Sequence, residues 1–201
     1  MNKNLNPCQS ASSSWVAVAT SERVVRVFST SGAQIHLASL PGPVCTISAN
    51  QEQLFYTYHR GAGFDENQLL SCGILTMDKS ASGFKRPPTD LALSPRTELA
   101  WVGYTDEGTP AYVDTEGLVR IVNWNSDTWM PIASTKKAQG AREVDTWWIT
   151  SINEGNKDIY ATLCKNSYVN LIFNFIRKKI SVLQKKIKLQ KISISLPKTR
   201  T

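Results

Sequence analysis

Between Leu99 and Ser134, four short apolar runs follow one another with only a few turn residues between them. The runs are Leu99–Tyr104, Pro110–Asp114, Leu118–Trp124 and Thr128–Ser134. They are separated by Thr105-Asp106-Glu107-Gly108, Thr115-Glu116-Gly117 and Asn125-Ser126-Asp127. Each connector holds a Gly, Asn or Asp that tolerates the positive φ of a tight hairpin. Four consecutive antiparallel strands joined by short turns make a meander, the blade of a β-propeller.

The rest of the chain can be phased on that unit. Trp15–Ala19 and Val24–Phe28 are short runs rich in branched residues, and Thr30-Ser31-Gly32 turns into Gln34–Leu40, which Pro41-Gly42-Pro43 ends. Val44–Ala49, Gln53–His59 and Leu69–Met77 follow. Lys79–Thr89, with Gly83 and Pro87-Pro88, reads as a loop. Asp145–Asn153 and Asp158–Cys164 begin another unit.

The expected fold is all-β, a partial β-propeller. Two complete four-stranded blades run from Val44 to about Leu93 and over Leu99–Ser134, with partial blades on either side. Residues 1–14 are a polar leader and 15–168 the incomplete propeller. Blade starts near Val44, Leu99 and Trp147 give repeats of 55 and 48 residues, nearer the ~50 of kelch than the ~40–45 of a WD blade. No Trp-Asp dipeptide occurs, so a sandwich of the same strands stays open on pattern alone.

Charge divides the chain at Tyr168. All 16 Asp and Glu lie before Val169, whereas nine of the 23 Lys and Arg lie after it. That leaves 14 cations against 16 carboxylates, a net −2, in residues 1–168. The pI of about 9.3 therefore describes a basic tail attached to a mildly acidic body. Met1–Pro7 lacks the apolar core of a signal peptide, and no stretch reaches the roughly 18 apolar residues of a membrane span. The body is expected to be soluble and intracellular. Cys8, Cys45, Cys72 and Cys164 are widely spaced with no C-x-x-C pair, which predicts reduced thiols rather than a zinc site.

Tyr58-His59-Arg60-Gly61-Ala62-Gly63-Phe64-Asp65 is the most distinctive local string. His59 with Asp65 could do acid–base work, but no Ser or Cys nucleophile stands in a recognisable elbow. Gly61 and Gly63 mimic the start of a dinucleotide fingerprint without its third Gly or a following helix. The structural expectation is a tight loop in which Phe64 plugs back onto the sheet and Arg60 pairs with Asp65. Asp106, Glu107, Asp114 and Glu116 sit singly in turns, as solvated hairpin tips do. Trp101, Trp124, Trp129, Trp147 and Trp148 could stack bases or sugars, but packing between blades accounts for them more simply. No catalytic, cofactor-binding or metal-ligating residue is assigned, and no enzyme, cofactor or small-molecule substrate is expected.

Three strings carry a resemblance. Leu40-Pro41-Gly42-Pro43-Val44, the His59 string, and Glu107-Gly108-Thr109-Pro110-Ala111-Tyr112-Val113-Asp114-Thr115-Glu116-Gly117-Leu118-Val119-Arg120 resemble the second propeller, or SepB domain, of the WD-repeat and HMG-box DNA-binding protein family. That family also includes the chromosome transmission fidelity and minichromosome loss proteins. Asp127–Ile132 and Trp147-Trp148 fit the same order. The resemblance covers about 15–168. It implies a nuclear, non-enzymatic replisome adaptor that couples the replicative helicase, through GINS, to DNA polymerase alpha on chromatin, with no membrane role. It further implies a homotrimer of six-bladed propellers. The client-docking helices have no counterpart here, and the open blade surfaces predict a marginally stable or aggregation-prone polypeptide.

The tail, 169–201, has three readings. It is translated intron, because the resemblance stops in mid-blade at Tyr168 and the following residues have AT-rich codons. It is an amphipathic basic helix with Phe173, Ile176, Ile180, Leu183 and Ile187 on one face, binding nucleic acid or a membrane surface. Or it is an ordinary tail.

Overall fold

The computed structural model describes residues 8–77, 83–137, 146–164 and 189–193. Its elements are antiparallel strands and one 3-10 turn, Thr135–Lys137. The chain divides into two compact units, Met1–Tyr104 and Thr105–Thr201.

The first unit opens with a sheet of strands β1 (Cys8–Ala11), β2 (Trp15–Ala19), β3 (Val24–Ser29) and β4 (Gln34–Ser39), paired in that order. Alternation decides its faces. Trp15, Ala17 and Ala19 of β2 are buried, as are Val25 and Val27 of β3, while Val16 and Arg26 point outward. Within the next sheet, β5 (Val44–Asn50), β6 (Gln53–His59), β7 (Leu70–Thr76) and β8 (Gly83–Asp90) again pair in order. Its central strands are buried on both faces: Leu54 to Tyr58 of β6 are all enclosed. One core joins the two sheets, with Trp15, Val25 and Val27 packed among Leu54, Tyr56, Tyr58 and Leu75.

Two stretches depart from expectation. Cys8–Ala11, assigned to the polar leader, is a strand, so the first blade has all four of its strands. It carries no apolar run; its backbone pairs with β2 from Cys8 opposite Ala19 to Ala11 opposite Val16, and side-chain hydrogen bonds at and just after it fasten it to the next sheet. Ser10 Oγ accepts from the Ala49 amide at 2.8 Å, and Ser12 Oγ donates to the Gln51 carbonyl at 2.6 Å. The part of the expected Lys79–Thr89 loop from Gly83 onward is strand β8. Pro87 and Pro88 are tolerated because β8 is an edge strand, and the pairing steps from Cys72 opposite Thr89 to Ile74 opposite Arg86, passing over both prolines.

The meander appears as expected, in a sheet of order β12-β11-β10-β9. Strand β9 (Leu99–Tyr104) closes the first unit; β10 (Pro110–Asp114), β11 (Leu118–Asn123) and β12 (Thr128–Ser134) belong to the second. Gly108, Gly117 and Asp127, one in each connector, adopt φ of 79°, 73° and 62°. Pro131 sits in edge strand β12, beside a bulge at Val119/Arg120. Strands β13 (Thr146–Asn153) and β14 (Asp158–Cys164) form the next hairpin, and β15 (Leu189–Ser193), from the tail, pairs antiparallel with β14. The helix expected over Phe173–Ile187 lies outside the described residues.

Candidate functional site

The His59 string leads from the end of β6 into a hydrogen-bonded hairpin of the first unit. Strand β6 ends at His59, whose amide donates to the Pro43 carbonyl at 2.9 Å. The Pro41-Gly42-Pro43 corner lies directly beneath it: a Cβ on Gly42 would stand 1.8 Å from the His59 carbonyl oxygen. Two strings far apart in sequence thus meet at a point that only glycine permits.

Beyond His59 the chain makes a second, smaller hairpin. The Arg60 amide donates to the Leu69 carbonyl at 3.0 Å, and Phe64 and Asn67 exchange amide–carbonyl bonds of 3.1 and 2.9 Å. Asp65 and Glu66 form the two-residue turn with φ of 48° and 61°. Positive φ at both central residues is the type I′ geometry that matches strand twist. Gly63 is required beside it, since a Cβ there would meet the Asn67 carbonyl oxygen at 2.6 Å.

Other parts of the unit brace this hairpin. Asn67 Oδ1 accepts from the Arg96 amide at 2.9 Å, and Gln68 Oε1 accepts from the Leu99 amide at 2.9 Å. At its base Arg60 pairs with Asp90 at 2.6 Å, and Ser71 Oγ donates to the second Asp90 oxygen at 3.0 Å. Near the tip Arg96 stands 3.9 Å from Asp65.

Two expectations fail here. Arg60 and Asp65 do not pair with each other, because one lies at the base and the other at the tip. Phe64 does not plug onto the sheet: the turn closes immediately after it, leaving it 81% exposed, the most exposed large apolar side chain among the described residues. A braced hairpin thus displays an aromatic ring followed by Asp65, which faces Arg96, and Glu66. Such a group loses little conformational freedom when it is buried against a partner.

The other candidates do not converge on a reactive centre. Asp65 faces Arg96, and no bond joins it to His59. Burial pushes the Cys45 thiol up to about 11, against a hydrogen bond from Thr57, so it is protonated at neutral pH. Burial also raises Cys8. No cluster of three or more metal-ligating side chains occurs among the described residues. In the second unit Asp114 is buried, whereas Asp106, Glu107 and Glu116 lie in turns. The tryptophans serve separate roles. Trp147 is buried, Trp129 meets Tyr112 edge-on at 4.8 Å, and Trp101 packs over Gly103, where a Cβ would fall 2.4 Å from its ring. Trp124 is exposed.

The family described as minichromosome loss protein, Mcl1, middle region, matches residues 7–170. WD repeat and HMG-box DNA-binding protein 1 of Xenopus laevis is 40% identical over 154 residues, covering 76% of this chain and 14% of the relative. Its Homo sapiens counterpart is 38% identical with the same coverage. Protein ENHANCER OF LHP1 1 of Arabidopsis thaliana is 30% identical over 155 residues, covering 76% of this chain and 16% of the relative. The chain therefore spans about a seventh of the length of these relatives. Among solved structures, HIRA(644-1017) has a TM-score of 0.49 at 18% identity, covering 67% of this chain and 41% of that one. The RRP9 WD40 repeats have a TM-score of 0.48 at 13% identity, covering 80% and 46%.

Proposed function

The chain belongs to the minichromosome loss protein Mcl1 middle-region family, and on that premise we propose that it is a non-enzymatic scaffold module of nuclear DNA replication that works by docking other proteins. In this reading it takes part in the assembly that couples the GINS part of the replicative helicase to DNA polymerase alpha on chromatin. Tethering of this kind raises local concentration without bond chemistry. The family match carries the reading. The exposed Phe64 on its braced hairpin supplies a docking element.

The nine cations of 169–201 favour a second reading, in which the tail binds nucleic acid or an anionic membrane surface. One experiment separates the two. The tagged full chain is followed in the chromatin-bound fraction through the cell cycle, with and without residues 169–201. The scaffold reading expects enrichment in S phase that survives the deletion. Retention that ignores the cell cycle and disappears with the tail would overturn it in favour of the basic-tail reading.

A further inference from the structure

Each described sheet ends, in chain order, on an edge strand: β4, β8, β12 or β15. Open edges invite further strands, and proteins guard them with proline or charge. Strand β8 carries Lys85, Arg86, Pro87 and Pro88, β12 carries Pro131, and β15 carries Lys191. Strand β4 has no proline, lysine, arginine or carboxylate.

The outward side of β4 is a ready row of backbone donors and acceptors. The Leu40 amide donates to the Arg23 carbonyl at 2.8 Å, and pairing continues with Ala38 opposite Val25 and His36 opposite Val27. Bonded pairs alternate in an antiparallel ladder, so the amides and carbonyls of Leu37 and Ser39 point away from β3. None of the described residues bonds to them. Leu37 is 52% exposed and Ile35, at the adjoining bulge, 49%. Across from Leu37 stands Arg26, whose Nη1 donates to Gln34 Oε1 at 3.0 Å. No carboxylate among the described residues pairs with Arg26. Residues 8–40 hold Arg23 and Arg26 against Glu22 alone, a net 2 − 1 = +1 in a body that is acidic as a whole.

We infer that the β4 edge binds an extended acidic segment of a partner protein, which adds a strand beside Leu37 and Ser39. Apolar side chains at alternate positions of that segment cover Ile35 and Leu37, and a carboxylate on the same face reaches Arg26. The row of backbone groups selects an extended chain over a helix, and Arg26 selects an acidic segment over a basic one. The site uses no residue of the Phe64 hairpin and does not depend on the replication reading.

The probe is a fluorescent, end-blocked peptide of about eight residues, with valine and one aspartate at alternate positions and threonine between them. Anisotropy should show it binding the full chain and Phe64→Ala alike. Ser39→Pro removes an outward donor, keeps the bonds to β3, and should abolish binding. Arg26→Gln, or lysine in place of the probe's aspartate, should weaken binding by about tenfold or more. Variants are compared at unchanged melting temperatures, and a further arm leaves the protein untouched. N-methylating the amides along one edge of the probe should abolish binding, while methylating the opposite edge should spare it, because one edge alone pairs with β4. No binding, the same effect from both methylated probes, or equal binding of the lysine peptide overturns the site. Binding that falls as protein concentration rises overturns it too, and gives the edge to a second copy.

Discussion

Asp114 and Arg120 form an ion pair inside the β10–β11 hairpin, Oδ2 to Nη1 at 2.8 Å, with the carboxylate fully enclosed and the guanidinium nearly so. The second Asp114 oxygen accepts from the Leu118 amide at 3.0 Å, closing the turn, and Arg120 lies over the Tyr112 ring at 5.6 Å. One carboxylate therefore holds both the turn and the charge that packs on the aromatic pair of Tyr112 and Trp129.

Breaking that pair from one side leaves a buried charge. Arg120→Met should lower stability by about 3–5 kcal/mol, and Asp114→Ala by at least as much, because it also removes the Leu118 acceptor. The double variant should lose less than the sum of the two singles, by about 0.5–3 kcal/mol. Chemical denaturation of the four proteins measures all three quantities.

Gly42→Ala should be among the most damaging single-methyl additions, destabilising by more than about 2 kcal/mol. The added carbon would collide with the His59 carbonyl oxygen, a backbone atom that cannot rotate away. Gly32 supplies the control. Its φ is 87° but its surroundings are open, so Gly32→Ala should cost only the left-handed strain of about 1–2 kcal/mol. Equal losses at the two sites would contradict the close approach of the two strings.

In the second unit Asp106 ties the 105–109 turn to the end of β13. Its Oδ2 accepts from Asn153 Nδ2 at 2.6 Å, its Oδ1 accepts from the Glu154 amide at 2.9 Å, and its own amide donates to the Ile152 carbonyl at 2.9 Å. The neighbouring Thr105 hydroxyl bonds to Glu154. Asp106→Ala should destabilise by about 1–2 kcal/mol and speed hydrogen exchange at the Glu154 amide.

Alkaline pH should weaken the fold. Cys45 is raised to about 11 by burial, and Tyr56 and Tyr104 are raised in the same direction by the same cause. Folding therefore retains protons that the unfolded chain releases. The stability tied to Cys45 is fully present below its unfolded value of 9.0 and is lost as pH rises through about 11. The Cys45 contribution is on the order of 2 kcal/mol. Melting temperature should fall between pH 9 and 11, and Cys45→Ala should flatten that slope.

What could be read from the sequence was whatever local turn chemistry dictates. Gly108, Gly117 and Asp127 sit where the meander needs positive φ, so its four strands were legible. Strand β8 was hidden because its prolines argue against a strand, and only an edge position with a bulge makes them acceptable. Strand β1 was hidden because hydroxyl bonds from Ser10 and Ser12, rather than apolar alternation, attach it to the sheet beside it. Phe64 misled for a related reason. An aromatic next to glycines suggests a plug, and Asp65-Glu66 announces a type I′ turn only weakly, since Asp tolerates positive φ but Glu at the second position lacks the freedom of the Gly in Asn-Gly or Asp-Gly. Exposure is decided by which atoms the hairpin meets elsewhere in the unit, Arg96 and Leu99 above all, and those contacts are not local.

In the scaffold role proposed for this chain, Phe64 is the docking group whose loss should be felt most. The direct measurement is the S-phase chromatin-bound fraction of the full chain against that of Phe64→Ala, compared at equal expression and equal melting temperature. The variant should fold as wild type does, since the ring touches little of its own chain, and should lose most of its chromatin-bound fraction. Wild-type occupancy by a folded Phe64→Ala protein would contradict the account.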